Sequence, residues 1–312
     1  SGDFALNPTI ASGTGDLAYE QVRMDRDIWR VRIHGRDPWQ LETAPFLTST
    51  RMESEADFHP EGDRVVFVSS RSGYPELWVS GADGANPRQV TTLRAGSLTQ
   101  PRWAPGGDRI AFNAVVEGVS RPMIVQALGG PAREVVAGET GLVFTAWAAD
   151  GASLLVGADR GTGWEIFRWP LVGGDPVALT REGGLTAAED RSGRALYFTR
   201  PMAPGLWKTD LVDGLPAGDP ALILPDLGPA DARHWRLRDG PAGVTGIFYV
   251  SRMGGEAFLT LFEAADGTSS FLTDLPSLAP SGLALSPAGD TILFARTENQ
   301  AGDLMLIEDL SP

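Results

Sequence analysis

The stretch FHPEGDRVVFVSSRSGYPELWVSGADGANPRQVTT, from Phe58 to Thr92, has the pattern of one unit of four β-strands. Phe58 ends an inner strand, and the turn HPEGD follows, in which Pro60 fixes φ and Gly62 tolerates a positive φ. RVVFVSS and ELWVSGAD are apolar strands separated by the turn RSGYP, and the turn GANP leads to a short last strand, RQVTT. Such a unit has two apolar faces that it cannot bury alone, so the chain should contain copies of it.

The same pattern recurs along the whole chain. Gly62 lies five residues before Phe67 on the second strand, and Gly15 lies four residues before Tyr19. The five-residue step is repeated at Gly107 and Phe112, Gly151 and Val156, Gly193 and Phe198, Gly243 and Phe248, and Gly289 and Phe294. Most third strands carry an apolar pair such as Leu77-Trp78, at steps that differ by even numbers and so keep the same faces buried. A period of 42 to 50 residues with four strands per unit indicates a β-propeller.

We therefore predict an all-β fold, a seven-bladed β-propeller of four-stranded antiparallel blades that forms a single domain over residues 1–312. The repeats span 3–42, 53–92, 100–136, 145–180, 186–224, 233–273 and 280–310. The last repeat stops after its third strand, so its blade should either keep three strands or take its fourth from residues upstream of this sequence. Ser1 to Leu6 are too few to supply an outer strand and also the crossing to the next inner strand.

The composition limits the partners. The chain has 40 acidic and 26 basic residues and a formal net charge of −14, so neither a nucleic acid nor an anionic membrane is an expected partner. No run of 18 apolar residues occurs, so we expect no membrane contact by this segment itself. No signal peptide is recognised. Cysteine is absent, which excludes disulfides and cysteine-ligated metals.

Motifs of catalytic sites are missing from the sequence. There is no G-x-S-x-G elbow for a serine hydrolase, no P-loop, and no G-x-G-x-x-G after a strand. The three histidines, His34, His59 and His234, lack a second histidine at metal-ligand spacing. Acidic residues follow four anchor glycines, and we interpret them as turn caps, because one turn offers too few calcium ligands. They are Asp16, Asp63, Asp108 and Asp290. The sequence predicts no catalytic residue, no metal and no cofactor.

Candidate binding residues gather at one face of the predicted propeller. Five arginines follow second strands at steps of seven or nine from the anchor glycine, and so lie in the second-to-third-strand hairpins. They are Arg71, Arg160, Arg200, Arg252 and Arg296. The connections into the inner strands open on the same face and carry Asn7, Glu55, Gln100 and His234. The face is expected to bind an anion or a protein partner, unless each arginine pairs with a carboxylate of a neighbouring blade.

Most of the nine tryptophans occupy equivalent strand positions, where packing between blades requires bulk, and we interpret them as core residues. Trp39 and Trp235 depart from this pattern. Trp235 adjoins His234 and Arg233, and it is kept as a binding candidate beside the core alternative.

The motifs resemble those of a known family. FHPEGDRVVF, WAPGGDRIAF and LSPAGDTILF, with SSRSG and ALT, resemble the WD-like repeats of TolB-type propellers. GWEIFRWPLVGGDPVALTREGG, LYFTRPMAPGLW and GDLMLIEDL resemble the C-terminal sensory propeller of membrane-anchored winged-helix transcription regulators of the CadC/ToxR type, and of some bacterial Ser/Thr kinases. In such proteins the propeller follows a transmembrane helix and lies outside the cytoplasm. This chain contains no winged helix, kinase or transmembrane segment.

The resemblance implies a non-catalytic sensory or interaction propeller that binds a ligand or protein at one face, in the periplasm. The alternative is an accessory or substrate-gating propeller of a hydrolase, because such propellers precede the peptidase domain of oligopeptidases. The alternative location is the cytoplasm. A winged helix and transmembrane segment encoded upstream would support the first hypothesis, and an adjacent hydrolase domain would support the second.

Overall fold

A computed structural model describes the chain over residues 2–10, 16–36, 38–136, 139, 141–161, 163–201, 203–241 and 243–307. In these ranges the regular structure consists of 25 β-strands and one 3-10 helix, Pro229–Asp231. No helix in the described part of the chain is long and apolar enough to cross a membrane.

The strands are numbered in chain order. The first eleven are β1 (Gly2–Ile10), β2 (Leu17–Arg36), β3 (Trp39–Leu47), β4 (Glu53–Phe58), β5 (Arg64–Ser69), β6 (Glu76–Gly81), β7 (Arg88–Gln89), β8 (Ser97–Trp103), β9 (Arg109–Val116), β10 (Val119–Gln126) and β11 (Arg133–Glu134). The next eight are β12 (Leu142–Trp147), β13 (Ser153–Asp159), β14 (Trp164–Pro170), β15 (Val177–Ala178), β16 (Thr186–Glu189), β17 (Ala195–Thr199), β18 (Leu206–Val212) and β19 (Leu215–Leu224). The last six are β20 (Trp235–Gly240), β21 (Gly243–Met253), β22 (Glu256–Glu263), β23 (Thr268–Asp274), β24 (Ala284–Leu285) and β25 (Thr291–Ile307).

Five sheets share one arrangement, in which four consecutive strands pair antiparallel from the inside outwards. They are β4 to β7, β8 to β11, β12 to β15, β16 to β19 and β20 to β23. The stretch that begins at Phe58 forms the first of these sheets, and its register sets Phe67 of β5 opposite Trp78 of β6. The predicted all-β fold of four-stranded antiparallel blades is confirmed.

The sixth sheet is assembled from both ends of the chain. From the inside outwards β24, β25, β2 and β3 pair in this order, and β1 pairs with the N-terminal part of β2. β2 and β25 are partners from Leu17 opposite Ile307 to Arg32 opposite Thr291. The described residues of the seven repeats therefore form six hydrogen-bonded sheets, because the first and the last repeat share one sheet.

The physical reason is an exchange of strand partners between the first and the last repeat. In a regular sheet the hairpin between the second and third strands sets two large residues opposite each other, such as Phe67 and Trp78. By their positions in the repeat, Tyr19 and Trp29 would form this pair in the first repeat, and Phe294 and Met305 would form it in the last. In the structure neither repeat turns back on itself: Trp29 lies opposite Phe294, and Tyr19 lies opposite Met305. The same kinds of residue pair thus form between the two repeats. The outer strands that complete the last blade come from the first repeat rather than from residues upstream.

Apolar side chains fill the space between neighbouring sheets and close the ring. Within the described residues they form six clusters, and each cluster joins two adjacent sheets. Phe67 packs with Ile28 and Leu293 between the first regular sheet and the sixth sheet. Val31 and Phe248 pack on the other side of the sixth sheet. The part of the shared sheet around Val31 and Leu293 is therefore buried on both faces and belongs to the ring, whereas Leu304 and Leu306 near the end of β25 are exposed.

Truncation of a side chain between two sheets should destabilise the whole ring. Phe67 is 0% exposed, so we expect Phe67→Ala to lower the free energy of unfolding by about 3–5 kcal/mol, the usual loss for a large aromatic in a core. Phe271 on the outer strand β23 is 62% exposed, and Phe271→Ala is the matched control with a loss below about 1 kcal/mol. Denaturant titration measures both; similar losses would contradict the assignment of Phe67 to the core.

The exchange of partners can be trapped covalently, because the natural chain has no cysteine. Gln21 and Asp303 are directly opposed across β2 and β25. Opposed residues of antiparallel strands have Cα atoms about 4.5–5.5 Å apart, which suits a disulfide. We expect Gln21→Cys with Asp303→Cys to give a cross-linked monomer on oxidation, detected by mobility in non-reducing gels and by mass spectrometry of peptides.

The control for this experiment is Gln21→Cys with Asp27→Cys. These two positions would be opposed only if the first repeat closed into its own hairpin, and in the structure Asp27 is opposite Arg296 instead. A cross-link in this control at the yield of the Gln21–Asp303 pair would show that the hairpin is closed and would contradict the exchanged arrangement.

Candidate binding channel

The inner strands surround a central channel. A cavity of about 200 Å³ within it is lined by residues of β4, β8, β12, β16 and β20; we call it the mid-channel cavity. A wider opening of about 740 Å³ adjoins it on the side of the second-to-third-strand hairpins. It is lined by Arg26, Arg51, Glu55 and Arg233, together with small loop residues such as Gly73, and we call it the entry funnel. Arg233 lines both spaces.

Glu55 and Gln100 reach the channel because a β-bulge bends each inner strand at the same place. Both residues have positive φ, 55° and 53°, where the registers of β4 against β5 and of β8 against β9 shift. The buried Glu55 carboxylate accepts a hydrogen bond from the backbone N–H of Gln100 at 3.2 Å and lies 3.5 Å from Nη1 of Arg233. Gln100 in turn accepts a hydrogen bond from Asn113 at 3.2 Å. Two of the predicted site residues are therefore together, beside Arg233.

Asn7 does not lie in the channel. It has the same positive φ, 51°, and the pairing of β1 with β2 shifts next to it, as in an inner strand. β1 would be an inner strand, however, only if the first repeat formed a sheet of its own. In the described structure β1 pairs with β2 alone, and the exposed Asn7 donates a hydrogen bond to Glu20 at 3.4 Å. The placement of Asn7 at the channel mouth was wrong for this reason.

His234 and Trp235 stabilise the entry into β20. Their exposed fractions are 3% and 4%. Nδ1 of His234 lies 3.1 Å from Asp231, and Nε1 of Trp235 donates to the carbonyl oxygen of Ala232 at 2.8 Å. Trp235 also belongs to the apolar cluster between the fourth and fifth regular sheets. These contacts favour the core alternative for Trp235.

Each of the five predicted hairpin arginines has a carboxylate neighbour. The N–O distances are 3.1 Å for Arg71 and Glu53, 3.6 Å for Arg160 and Glu139, 3.4 Å for Arg200 and Glu182, 2.7 Å for Arg252 and Asp231, and 3.5 Å for Arg296 and Glu298. For the first four the acid lies at the entry to the inner strand of the same sheet, not in a neighbouring blade as the structural alternative expected. Arg296 lies within β25 and not in a hairpin, because the last repeat does not turn back.

Four of these arginines also lie over aromatic rings of the repeat pattern. The guanidinium carbon of Arg200 is 4.0 Å from the ring centroid of Trp207, and that of Arg296 is 4.3 Å from Trp29. Arg71 and Arg160 make longer contacts of the same kind with Trp78 and Trp169. Such contacts between a cation and an aromatic face add to the ion pairs. The repeated arginines are therefore engaged within the blades.

Asp231 holds the segment that leads into β20 through ion pairs with His234 and Arg252. Its side chain is 2% exposed and accepts hydrogen bonds from Nε and Nη2 of Arg252 at 2.7 and 2.9 Å. Burial by itself would raise the pKa of Asp231, but the hydrogen bonds and charges of His234 and Arg252 outweigh it and hold the pKa below its ordinary value. A lowered pKa in the folded state stabilises the protein above the pKa of the unfolded chain, and this contribution is lost as the pH falls through the folded value.

One group of possible metal donors occurs among the described residues: His59, Glu61 and Asp63, in the turn after β4. Nδ1 of His59 lies 2.8 Å from Asp63, and its Nε2 lies 2.8 Å from Nη2 of Arg64. Gly107 leaves room for this ring, because a Cβ there would be 2.2 Å from Nε2. The imidazole is packed and its two nitrogens already lie next to Asp63 and Arg64, as expected for a residue that stabilises a turn.

Basic residues of the channel were missed by the sequence reasoning. Arg102 and Arg236 line the mid-channel cavity together with Asp57. Asp57 and Arg102 each precede the aromatic residue that ends an inner strand, at Phe58 and Trp103. Alternate residues of a strand point to opposite sides, so a charge directly before this core aromatic is the signal for a channel position.

Comparisons with known proteins support the architecture. No family model matches the chain. A TolB homolog of Chlorobium luteolum is 28% identical over 172 residues, which are 55% of this chain and 36% of that protein. The uncharacterized peptidase YuxL of Bacillus subtilis is 28% identical over 136 residues, 41% of this chain and 20% of that protein. The chain thus matches well under half the length of these curated relatives. Among solved structures, a protein assigned as TolB from Agrobacterium tumefaciens superposes with a TM-score of 0.69 at 20% identity, covering 89% of this chain and 99% of that one.

The chain has the TolB-like β-propeller fold. At these identities the likeness shows the fold and not the activity. The matched relatives include a TolB homolog and a protein named as a peptidase, so similarity to this chain does not separate the two kinds of protein. The candidate site residues of this TolB-like propeller are therefore those of its own channel.

The buried pair of Arg252 and Asp231 should contribute measurably to stability. We expect Arg252→Ala to lower the free energy of unfolding by about 1.5–3 kcal/mol at neutral pH, because it leaves a buried carboxylate without its charged donor. The loss should shrink in acid, as the pH falls through the lowered pKa of Asp231 and the carboxyl takes up a proton. Urea titrations across the pH range measure this.

Arg160→Ala is the matched control. Arg160 lies 3.6 Å from Glu139, and both side chains are exposed to solvent, so the change should stay within about 0.5 kcal/mol. Equal losses for the two variants at neutral pH, or a loss for Arg252→Ala that does not vary with pH, would contradict the role given to Asp231.

Proposed function

We propose that this propeller is a non-catalytic sensory or interaction module that binds an acidic segment of a partner at the entry funnel. The observation that carries the proposal is the charge of the funnel. Arg26, Arg51 and Arg233 line it against one carboxylate, that of Glu55, in a chain whose net charge is −14. A basic funnel in an acidic protein is a local feature, and it fits a ligand that brings carboxylates.

Arg233 has Glu55 as its carboxylate neighbour, and the other two funnel arginines, Arg26 and Arg51, differ from it and from the hairpin arginines. Nε of Arg26 is buried and has no hydrogen-bond partner among the described residues. Burial lowers the pKa of Arg26, and the nearby charge of Glu55 opposes this effect. Arg51 is exposed at the rim. An incoming carboxylate would give Arg26 an acceptor, whereas each hairpin arginine already has a carboxylate neighbour.

The wider role follows from the sequence resemblance. We propose that the module is the sensor part of a membrane-anchored transcription regulator and lies in the periplasm, where its funnel would meet a ligand or a protein. Signal transduction would then depend on a partner domain outside these 312 residues. The TolB-like fold supports an interaction role, and the regulator is inferred from the repeat motifs.

A second candidate function is supported by the match to a peptidase. In an accessory propeller of a hydrolase the channel would restrict the passage of substrate to a neighbouring catalytic domain. Such a channel needs no affinity of its own for an acidic segment. The two functions therefore differ in whether the funnel retains a ligand.

The test is a selection of binding peptides from a random heptapeptide library on the purified chain. We expect the selected peptides to be enriched in Asp and Glu, and their affinity to fall at least about tenfold in Arg51→Ala, because one charged contact contributes more than about 1.4 kcal/mol. Arg133→Ala is the control, since Arg133 is exposed on the outer strand β11, away from the funnel. Peptides without acidic enrichment, or equal affinities for both variants, would favour the gating function.

A further inference from the structure

The mid-channel cavity holds two arginines whose charges are incompletely matched. Nη1 of Arg236 donates to the carbonyl oxygen of Trp235 at 2.6 Å, whereas its Nη2 is buried and has no partner among the described residues. Nη1 of Arg102, from the inner strand β8, donates to the carbonyl oxygen of Pro101 at 2.8 Å. Buried hydrogen-bond donors are nearly always paired, so the free N–H of Arg236 needs an explanation.

The two guanidinium groups approach each other beside a glycine. A Cβ on Gly282 would lie 3.5 Å from Nη2 of Arg236 and 3.6 Å from Nη2 of Arg102, so these two nitrogens are within about 7 Å of each other. Like charges at this separation repel in a poorly solvated space. Burial lowers the pKa of Arg236 to about 9, and the charge of Arg102 adds to the effect, so Arg236 is still protonated at neutral pH.

The carboxylates near the cavity do not balance these charges. Glu189 pairs with Arg168 and accepts a hydrogen bond from the backbone N–H of Ala149. Glu55 and Arg233 balance each other. Asp57 remains for both Arg102 and Arg236: it lies 3.9 Å from Nη1 of Arg102 and accepts a hydrogen bond from the backbone of Trp103 at 3.0 Å. The cavity therefore carries an excess of one positive charge.

We propose that the mid-channel cavity is a binding site for one carboxylate group, held between Arg102 and Arg236. A monoanion neutralises the excess charge and gives the free Nη2 of Arg236 an acceptor. A phosphate dianion would reverse the sign of the excess instead of cancelling it. The volume of about 200 Å³ admits a small acid or the end of an acidic side chain, but not a large ligand. Planar carboxylates also match the fork geometry of guanidinium groups.

This inference goes beyond the proposed recognition of a partner, since it concerns a different set of residues and a ligand that needs no partner protein. The probe is acetate, added to the purified chain in a chloride-free buffer of constant ionic strength. We expect acetate to raise the midpoint of thermal unfolding in a saturable manner, and calorimetric titration to give one site per chain.

Two variants test the site in opposite directions. Arg236→Gln should remove the saturable effect of acetate, since it removes the excess charge and the free donor. Asp57→Asn should tighten acetate binding by about tenfold, because the cavity then carries two unmatched positive charges. An equal response of wild type and Arg236→Gln, or weaker binding by Asp57→Asn, would overturn the proposal.

Chloride and sulfate at the same ionic strength are the reference anions. Equal stabilisation by chloride and acetate would mean an unselective anion site and would overturn the assignment to carboxylates. If Arg236→Gln does not fold, the increase expected for Asp57→Asn still decides the question. Failure of the acetate experiment leaves the peptide selection at Arg51 untouched, so the two proposals can fail separately.

Discussion

Each sheet of this fold has two apolar faces, and neither face may be left in water. A sheet within the ring meets this constraint through its two neighbours, but a linear row of sheets would always leave two faces uncovered. The pairing of β2 with β25 removes these ends, because it builds a sheet from both ends of the chain and places it between the first and the fifth regular sheets. The channel and the entry funnel depend on this closure.

The sequence predicted the repeats and their strands well, and the strand partners of the first and last repeats less well. The step from Gly62 to Phe67 and its copies located the second strands, because a tight turn and a buried aromatic leave a local signature. Which strand a given strand pairs with is not determined by the local sequence. The pattern makes Trp29 a suitable partner for Tyr19 or for Phe294, and the alternatives differ in which repeat supplies the second strand. Only the three-dimensional arrangement shows that the hairpins of the first and last repeats are open.

The candidate site was predictable only in part for a similar reason. Glu55 lines the entry funnel and Gln100 lines the mid-channel cavity, because each lies at the bulge of an inner strand, and their role in binding stays a prediction. The repeated arginines drew attention because they recur, yet recurrence reflected a common structural partner at the strand entry. Arg102 and Arg236 do not recur, and their importance depends on which charges surround them across the channel. A one-dimensional pattern does not contain that information.

The channel and the outer surface of the protein carry charge of opposite sign. The surface of the chain is acidic, with a net charge of −14, whereas the space around the axis has unmatched guanidinium groups. At physiological salt the field of the surface is screened within about 8 Å, so the channel can attract an anion that the protein as a whole repels. Affinity would then depend on the ligand reaching the axis, and salt would act mainly on the rate of approach.

The exchanged strands also determine the order in which the molecule can fold. Paired residues of β2 and β25 are between 259 positions apart, at Arg32 and Thr291, and 290 positions apart, at Leu17 and Ile307. The five regular sheets form from contacts within single repeats and can fold as each repeat leaves the ribosome. The shared sheet must wait until nearly all described residues have been synthesised, and its large loop-closure entropy makes it a slow step. During that interval β2 can pair with β1 and β3, which are its neighbours in sequence, but the edge that faces β25 stays open. The final closure is therefore also the moment at which a second copy of the chain could compete for β25.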